Sequence, residues 1–547
     1  MIPPTVTETQ AQTKDEAHGA TLNAWERVEA GESLLVVAKE LGIPESTLRD
    51  RVTQLSKSGI SLQAYRFFWS FEGAMFLKRL VYAMVFFMAM RKSHSIETIS
   101  TVLRRAGLGA LIGTSYGAIQ AIKTDCEKIF LKKTKEEFSR LVESKMTLYI
   151  TICADETWLS EMCLIAIEPI SNFVLLAKYS EYRTAKAWKD ALQKAHPGLH
   201  IVILQTTSDE AKALIKLAQE HLEGQHSPDL FHIQHEVCKG LSLPISNSVK
   251  CSEAQLAKAL EGVGVLKDVT QPTKNNTESL VVLAEEIDLN AFTEVKHKLE
   301  NVNKALEISK EFRSCLEDLS KAYHPIDIET GSRRLASDVM SSVYAVFGRL
   351  DEVASSFNSE KISKHVEKAR NVCDAMNDAL RFNELFISAE LHKTEYSSAE
   401  KWQILNRLIP AAYLRRIAKQ QTYARKRDEL NALAARLEQL ALSSDPLFEK
   451  SEAEIRSMFE DAKYLATIFQ RSSSCVEGLN GVLSIKFQSS RGMSEKELEI
   501  AIAMHNFVSK RGDGTTAVER LFDMKANDIF SMVVNDGIEL PPGRAAA

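Results

Sequence analysis

Between residues 147 and 205 the chain switches from the period of a helix to that of a strand, and this switch limits the fold more than any other feature. Thr147 to Ala154 is a run of β-branched and apolar residues that ends at Asp155. Met162 to Glu168 and Phe173 to Tyr179 are two further runs. A turn holding Pro169, Ser171 and Asn172 joins them, so they read as a hairpin. A helical pattern over Thr184 to Ala195 precedes a fourth strand, Leu199 to Gln205. Ser208 is placed to cap a helix over Ser208 to Leu222. Asp229-Leu-Phe-His232 reads as a short fifth strand running into a helix over 233–241. Strands first in sequence and then alternating with helices describe a mixed sheet with helices on its faces.

The rest of the chain carries helical patterns. Long amphipathic runs lie at 289–322, 333–357, 360–391, 424–442 and 451–469, with loops between them that hold Pro and Gly, such as His324 to Gly331. At 547 residues the chain exceeds one ordinary core. The texture divides it into 1–18, without periodicity and expected to be disordered; 19–60; a helical block at 61–140; a first part of the mixed core at 141–245; an all-helical domain at 246–470; closing helices of the core at 471–530; and a tail at 531–547. Phe76 to Met90 is the longest apolar stretch, but Lys78 and Arg79 interrupt it, which predicts a buried helix rather than a membrane span. Residues 1–20 are polar and acidic, not a signal peptide. The eight cysteines are scattered without a CxxC pair, as reduced thiols of a cytoplasmic protein would be.

The net charge of −5 excludes a chain that is basic throughout, so any nucleic-acid contact must come from local patches. One patch is at 34–52. Leu34 to Leu41 predicts a helix stopped by Gly42, and a second helix follows Pro44. Ala38, Leu41, Ile43, Leu48 and Val52 form a small shared core, which leaves Ser46, Thr47, Arg49 and Arg51 facing outward. That spacing is a helix-turn-helix, whose second helix enters the major groove of DNA. A plain helical hairpin is the competing reading. Ile96–Arg105, Gly107–Gly109 and Thr114–Lys123 repeat the outline loosely, and residues 66–105 are locally basic, as a second DNA-binding domain or a solvated face would be. The segment 411–427 is basic and free of acids. Arg415, Arg416, Arg425, Lys426 and Arg427 lie there beside Tyr413 and Tyr423, a mixture suited to phosphate tracking with aromatic contacts, or to a solvated amphipathic helix.

Three acids then stand out. Asp155 ends the first strand, Asp209 follows the fourth, and Glu477 lies in a helix start, Arg471-Ser-Ser-Ser-Cys-Val-Glu-Gly-Leu-Asn480. Carboxylates so placed can close around two divalent ions, which clamp the attacking and leaving oxygens of a phosphoryl transfer roughly 3.5–4 Å apart. Hard oxygen ligands suit Mg²⁺ or Mn²⁺. Asn480 lies three residues beyond Glu477 and shares its helical face. Each acid also has a simpler reading. Asp155 could cap a loop with Glu156 as the ligand, Asp209 could add to a helix cap, and Glu477 could stabilise a helix N-terminus.

In this order and spacing the chain resembles the DDE transposases of bacterial insertion sequences, over about residues 20–525. The motifs that carry the likeness are Asp155-Glu-Thr-Trp158, Asp229-Leu-Phe-His-Ile-Gln-His235, Ser472-Ser-Ser-Cys-Val-Glu-Gly-Leu-Asn480, and the segment from His505-Asn506 to Arg520. The resemblance implies a multidomain α+β chain with an N-terminal helix-turn-helix. It also implies a ribonuclease-H-like mixed α/β core interrupted by a large all-α insertion between Asp209 and Glu477. It further implies Asp155, Asp209 and Glu477 as catalytic metal ligands for two Mg²⁺ or Mn²⁺ ions, with Asn480 and His232 supporting them. The implied partners are double-stranded DNA, as element terminal repeats and target, and a second copy of the chain; a membrane is not among them. The alternatives are a catalytically inactive, domesticated DNA-binding protein and a metal-dependent nuclease that does not transpose. His232, His235 and Cys238 also raise a zinc reading, with Cys251 as a fourth ligand.

Overall fold

The computed structural model describes residues 19–144, 147–196, 198–265, 276–285 and 292–543. The segment 1–18, expected to be disordered, lies outside them. The chain is a mixed α/β protein, mostly helical, with one small sheet.

The sheet has five strands: β1 Leu148–Trp158, β2 Met162–Glu168, β3 Phe173–Tyr179, β4 Ile201–Ser208 and β5 Gln225–Pro228. Their order is β3-β2-β1-β4-β5, with β1, β2 and β3 antiparallel and β4 and β5 parallel to β1. The hairpin strands have the bounds expected from their runs. The fifth strand lies earlier than expected. Asp229 does not belong to it but caps the Leu230–Gly262 helix, its side chain accepting from Phe231 N. The helix expected from Ser208 begins later, at Lys212, because Ser208 still belongs to the β4 ladder.

Side chains alternate between two buried layers, as a pleated strand requires. On one face Ile150, Ile152, Ala154, Leu164 and Ala166 pack with Trp188, Leu214 and Phe522. On the other, Cys153, Cys163, Ile165 and Ile167 pack with Val476, Leu479 and Leu483 of the Ser474–Ser490 helix. The β1–β4 register shifts between Ile150 and Thr151: Ile150 pairs with Ile203 but Thr151 with Gln205. Leu204 is therefore an extra residue in β4. A one-residue insertion reverses which face the following side chains occupy. Gly224 lies against this bulge, where a Cβ would meet Ile203 O at 2.7 Å.

The Leu230–Gly262 helix runs unbroken past residue 246, so the expected boundary there falls inside one continuous helix with Pro244 in its interior. It leads into a helical region with cores of its own, built from Thr293–Ala322, Ala336–Ser355, Glu360–Arg370, Cys373–Lys393 and the helices from Ile404 to Leu465.

Residues 529–543 are not a loose tail. The Ile529–Asp536 helix puts Ile529, Val533 and Val534 into the core formed by Val81, Val85, Phe86, Ile122 and Phe130 of the 61–140 block. Gly113 N donates to Pro541 O at 2.7 Å and Gly543 N to Leu111 O at 3.2 Å. Among the described residues one helical stretch, Phe71–Arg91, is long and apolar enough to cross a membrane, and 50% of its most apolar window is buried in this core.

At the N-terminus helix 19–29 and the helices Leu34–Leu41 and Glu45–Ser58 share a small core of Ala24, Val37, Ala38 and Leu48. Gly42 sits at φ 66°, the left-handed turn that favours glycine.

Candidate active site

Asp155 is not at the end of β1. The parallel pairing with β4 ends at Cys153–Thr207, while the antiparallel pairing with β2 continues through Asp155–Ile165 to Trp158–Met162. Cys153 and Thr207 face the same side of the sheet, and each precedes an acid by two residues. Asp155 on β1 and Asp209, one residue past the end of β4, are thus set toward the layer of the Ser474–Ser490 helix. The bulge at Leu204 is what aligns them: without the extra residue the side chain at 209 would point to the opposite face.

The segment that leads into that helix is tied to the same strands. Gln470 O accepts from Gln205 Nε2 at 3.1 Å and from Ser227 Oγ at 3.1 Å, and Ser472 O lies 3.6 Å from Cys153 Sγ. Glu477 is in the first turn of the helix. Asn480, one turn on, donates from Nδ2 to Asp155 Oδ2 at 3.2 Å. Its Oδ1 is buried without a hydrogen-bond partner. Burial pushes the Asp155 carboxyl up to about 6. The charges of Glu477 and Asp209 add to the shift, while the Glu156 N–H and the charge of His232 work against it. The three acids thus interact as one electrostatic group.

His232 belongs to the same group. It is one turn into the Leu230–Gly262 helix, and its Nδ1 lies 3.0 Å from Asp229 Oδ2. Its hydrogen bond with Asp229 raises its pKa. The charges of Asp209 and Asp155 add to this, and burial opposes it. Asp229 is buried and also accepts from Ser473 Oγ. Burial alone would raise the Asp229 pKa, but the bonds from His232, Ser473 and Phe231 N outweigh it and hold it below the usual carboxylate value. Asp229 and Ser473 lie in motifs read from the sequence, but neither was expected to hold His232. The signal was present, since an Asp directly before the apolar spacing Leu230, Ile233, Val237, Leu241 is an N-cap pattern.

The simpler readings fare differently. Glu156 faces the other side of the sheet, where Trp188 Nε1 donates to it at 3.3 Å, so it does not share the face of Asp155. Asp209 Oδ1 does accept from Ala211 N at 3.1 Å, a local turn contact beside the helix start. The zinc set does not assemble. His232 turns to Asp229, His235 stacks on Phe231 with ring centroids 6.2 Å apart, and Cys238 packs against the helical core. Steps of three residues drift round a helix by about 60° each, so the first and last of the three diverge.

As the side chains are placed, no group of three or more His, Cys, Asp or Glu among the described residues is arranged to hold an ion. The donor chemistry nevertheless fits a divalent cation. Asp155, Asp209 and Glu477 are hard oxygen ligands. Burial raises the Asp155 pKa and repulsion from Glu477 and Asp209 adds to it, and the orphaned Asn480 Oδ1 is a buried acceptor beside them.

The expected DNA-contact residues are scattered. Ser46 and Arg49 are exposed on the Glu45–Ser58 helix, with Arg49 paired to Glu45; Thr47 is half-buried. Arg51 does not face outward. It lies on the side of Leu48 and Leu55, and its charge acts on Tyr65. Arg425, Lys426 and Arg427 are exposed, and Arg425 pairs with Glu429. Arg415 forms a two-pronged pair with Glu438 at 2.5–2.6 Å. Arg416 turns inward over the Tyr413 ring and donates to Phe469 O at 2.8 Å, so it braces the helical region rather than meeting solvent. Tyr413 is likewise buried, its hydroxyl 2.7 Å from His324 Nδ1.

Among known proteins, residues 404–547 match a family of unknown function, DUF6399. The matched stretch contains Glu477, Asn480 and Asn506 but neither strand aspartate. No curated protein matches the chain.

Proposed function

We propose that this chain is a metal-dependent polynucleotidyl transferase of the DDE transposase type. It hydrolyses a phosphodiester at an element end and joins the freed 3′-hydroxyl to target DNA. The observation that supports this is the shared orientation and electrostatic coupling of Asp155, Asp209 and Glu477. In this reading the sheet and its flanking helices are a ribonuclease-H-like core, the helical region before Glu477 is its insertion, and residues 19–58 are a helix-turn-helix that reads double-stranded DNA.

Asp155, Asp209 and Glu477 would hold two Mg²⁺ or Mn²⁺ ions. When bound, such ions polarise a phosphodiester and lower the pKa of an attacking water. Asn480 fixes the Asp155 carboxylate, leaving Oδ1 to accept from water or a substrate hydroxyl. Asp229 and Ser473 orient His232, whose Nδ1 is committed to Asp229, so Nε2 can hold or deliver a proton at a leaving oxygen.

The test is incubation of purified protein with DNA carrying its own flanking genomic sequence, in Mg²⁺, Mn²⁺ or EDTA. The expected result is nicks at defined ends and joined products only with a divalent ion. Both are lost in Asp155→Ala and Glu477→Gln, while Glu477→Gln still binds the ends. A non-catalytic DNA-binding protein is the second reading, favoured by the amide donors that engage Asp155 and Asp209. Binding without cleavage under every condition would select it. Cleavage without joining would select a nuclease.

A further inference from the structure

The Phe71–Ala83 helix has one face in the protein and one in solvent. Gly73, Leu77, Lys78, Val81 and Tyr82 are buried, and Lys78 Nζ is anchored to Gly537 O and Glu539 Oε1, both at 2.8 Å. On the opposite arc stand Phe71, Met75, Phe76 and Leu80, which are 79%, 38%, 55% and 37% exposed. Exposed Glu72 and Arg79 lie in the middle of that arc. The outer face of a surface helix is ordinarily polar, and here it is largely apolar.

We propose that this face is a homodimer contact, in which two copies of the helix pack antiparallel about a two-fold axis passing between Met75 and Phe76. A two-fold contact must be self-complementary, residue i meeting j while j meets i. The sequence satisfies this about that point: Phe71 falls opposite Leu80, Glu72 opposite Arg79, and Met75 opposite Phe76. Each Glu72 therefore meets an arginine of opposite charge, twice per dimer. Arg79 is already held in place, its guanidinium 5.1 Å from the centre of the Phe530 ring and within 3.4 Å of Ser531 Oγ. Phe67, at the end of the preceding helix, and Phe87, packed on Phe530, are also partly exposed. Aromatic and aliphatic side chains this exposed offer on the order of 600 Å² together. Their polar neighbours bring the patch near the ~800 Å² per partner of a stable interface. Apolar contact supplies affinity and the paired charges fix the register. The inference stands apart from the catalytic reading, since the helix touches none of the three acids.

The full-length chain is measured by sedimentation velocity over a wide concentration range. A reversible dimer is expected. Glu72→Arg places like charges opposite each other and weakens it by about tenfold or more. Arg79→Glu does the same, and the double variant Glu72→Arg/Arg79→Glu restores it. Phe76→Asp abolishes it, and at concentrations where the parent is monomeric the two thermal unfolding curves coincide, because Phe76 is not in the core. A monomer at every concentration overturns the proposal, as does a dimer indifferent to Glu72→Arg or a double variant no better than the single ones. Binding of a monomeric chain to phosphatidylglycerol vesicles, lost in Phe76→Asp, also overturns it and assigns the face to a membrane surface.

Discussion

The side-chain amide of Asn480 donates to Asp155 across 3.2 Å, joining the helix that carries Glu477 to the strand that carries the first aspartate. A hydrogen bond to a carboxylate is worth about 1.5–3 kcal/mol, enough to fix the relative position of two side chains. It also shows that β1 and the Ser474–Ser490 helix meet at their acids and not merely along their apolar faces.

Asp155→Asn should stabilise the protein at neutral pH. The Asp155 carboxyl sits at about 6, above its ordinary 3.8, so the folded state binds the extra proton between those values. Stability therefore falls as pH rises through that window. The full cost, about 1–3 kcal/mol after allowing for partial exposure, is present above pH 6. The amide removes it. Thermal unfolding should place Asp155→Asn above the parent at pH 7.5, with the gap closing by pH 4. Added Mg²⁺ should raise the melting temperature of the parent and not of the variant. A parent indifferent to Mg²⁺ would argue against the three acids as its ligands.

Asp229→Asn should lower the pKa of His232. The hydrogen bond to Asp229 raises that pKa, so the stability it contributes is fully present below the ordinary histidine value near 6.5 and is lost as pH rises through the folded one. Titration of the His232 ring by NMR reads this directly. An unchanged midpoint in the variant would show that Asp229 does not govern the imidazole. Asp229→Ala also removes a helix cap, with a cost of about 0.5–2 kcal/mol.

The hairpin of β2 and β3 was legible because two short apolar runs bounded by a turn with Pro169, Ser171 and Asn172 are local signals. The place of Asp155 was legible from its run of β-branched residues, but the continuation of β1 to Trp158 was not, since it depends on pairing with β2. The bulge at Leu204 leaves no mark in composition, yet it decides that Asp209 faces Asp155. Arg416 and Tyr413 read as exposed because they lie in a basic run free of acids, and tertiary packing drew both inward. The docking of Ile529, Val533 and Val534 was invisible for the same reason: its partner surface lies hundreds of residues earlier.

Truncation after residue 528 should be strongly destabilising, because it uncovers that surface. Fully burying an aliphatic side chain stabilises by about 1.5–3 kcal/mol, so losing these three removes about 5 kcal/mol or more. The buried Lys78 ammonium would also lose Gly537 O and Glu539. Limited proteolysis should cut the 61–140 block of the truncated chain far faster than that of the parent. Equal resistance would mean that the segment is dispensable.

Asn506 should prove to be the residue that closes the edge of the sheet. β3 is an edge strand, and its outward backbone groups need partners. Asn506 is buried, accepts from Val174 N at 2.9 Å through Oδ1, and donates from Nδ2 to Val174 O at 3.0 Å. Next to it, His505 Nε2 lies 2.8 Å from Asn172 O. Asn506→Ala leaves a buried N–H and a buried C=O without partners, at about 1–3 kcal/mol for each group. A loss of about 2–4 kcal/mol in denaturant unfolding is expected, with faster hydrogen exchange at the Val174 amide. Asn506→Asp keeps the acceptor for the N–H but sets a carboxylate oxygen against the Val174 carbonyl, so it should fare no better than alanine. A loss under about 0.5 kcal/mol in Asn506→Ala, with Val174 still protected, would mean that water replaces the amide and that the edge is held by the apolar contacts of the helix alone.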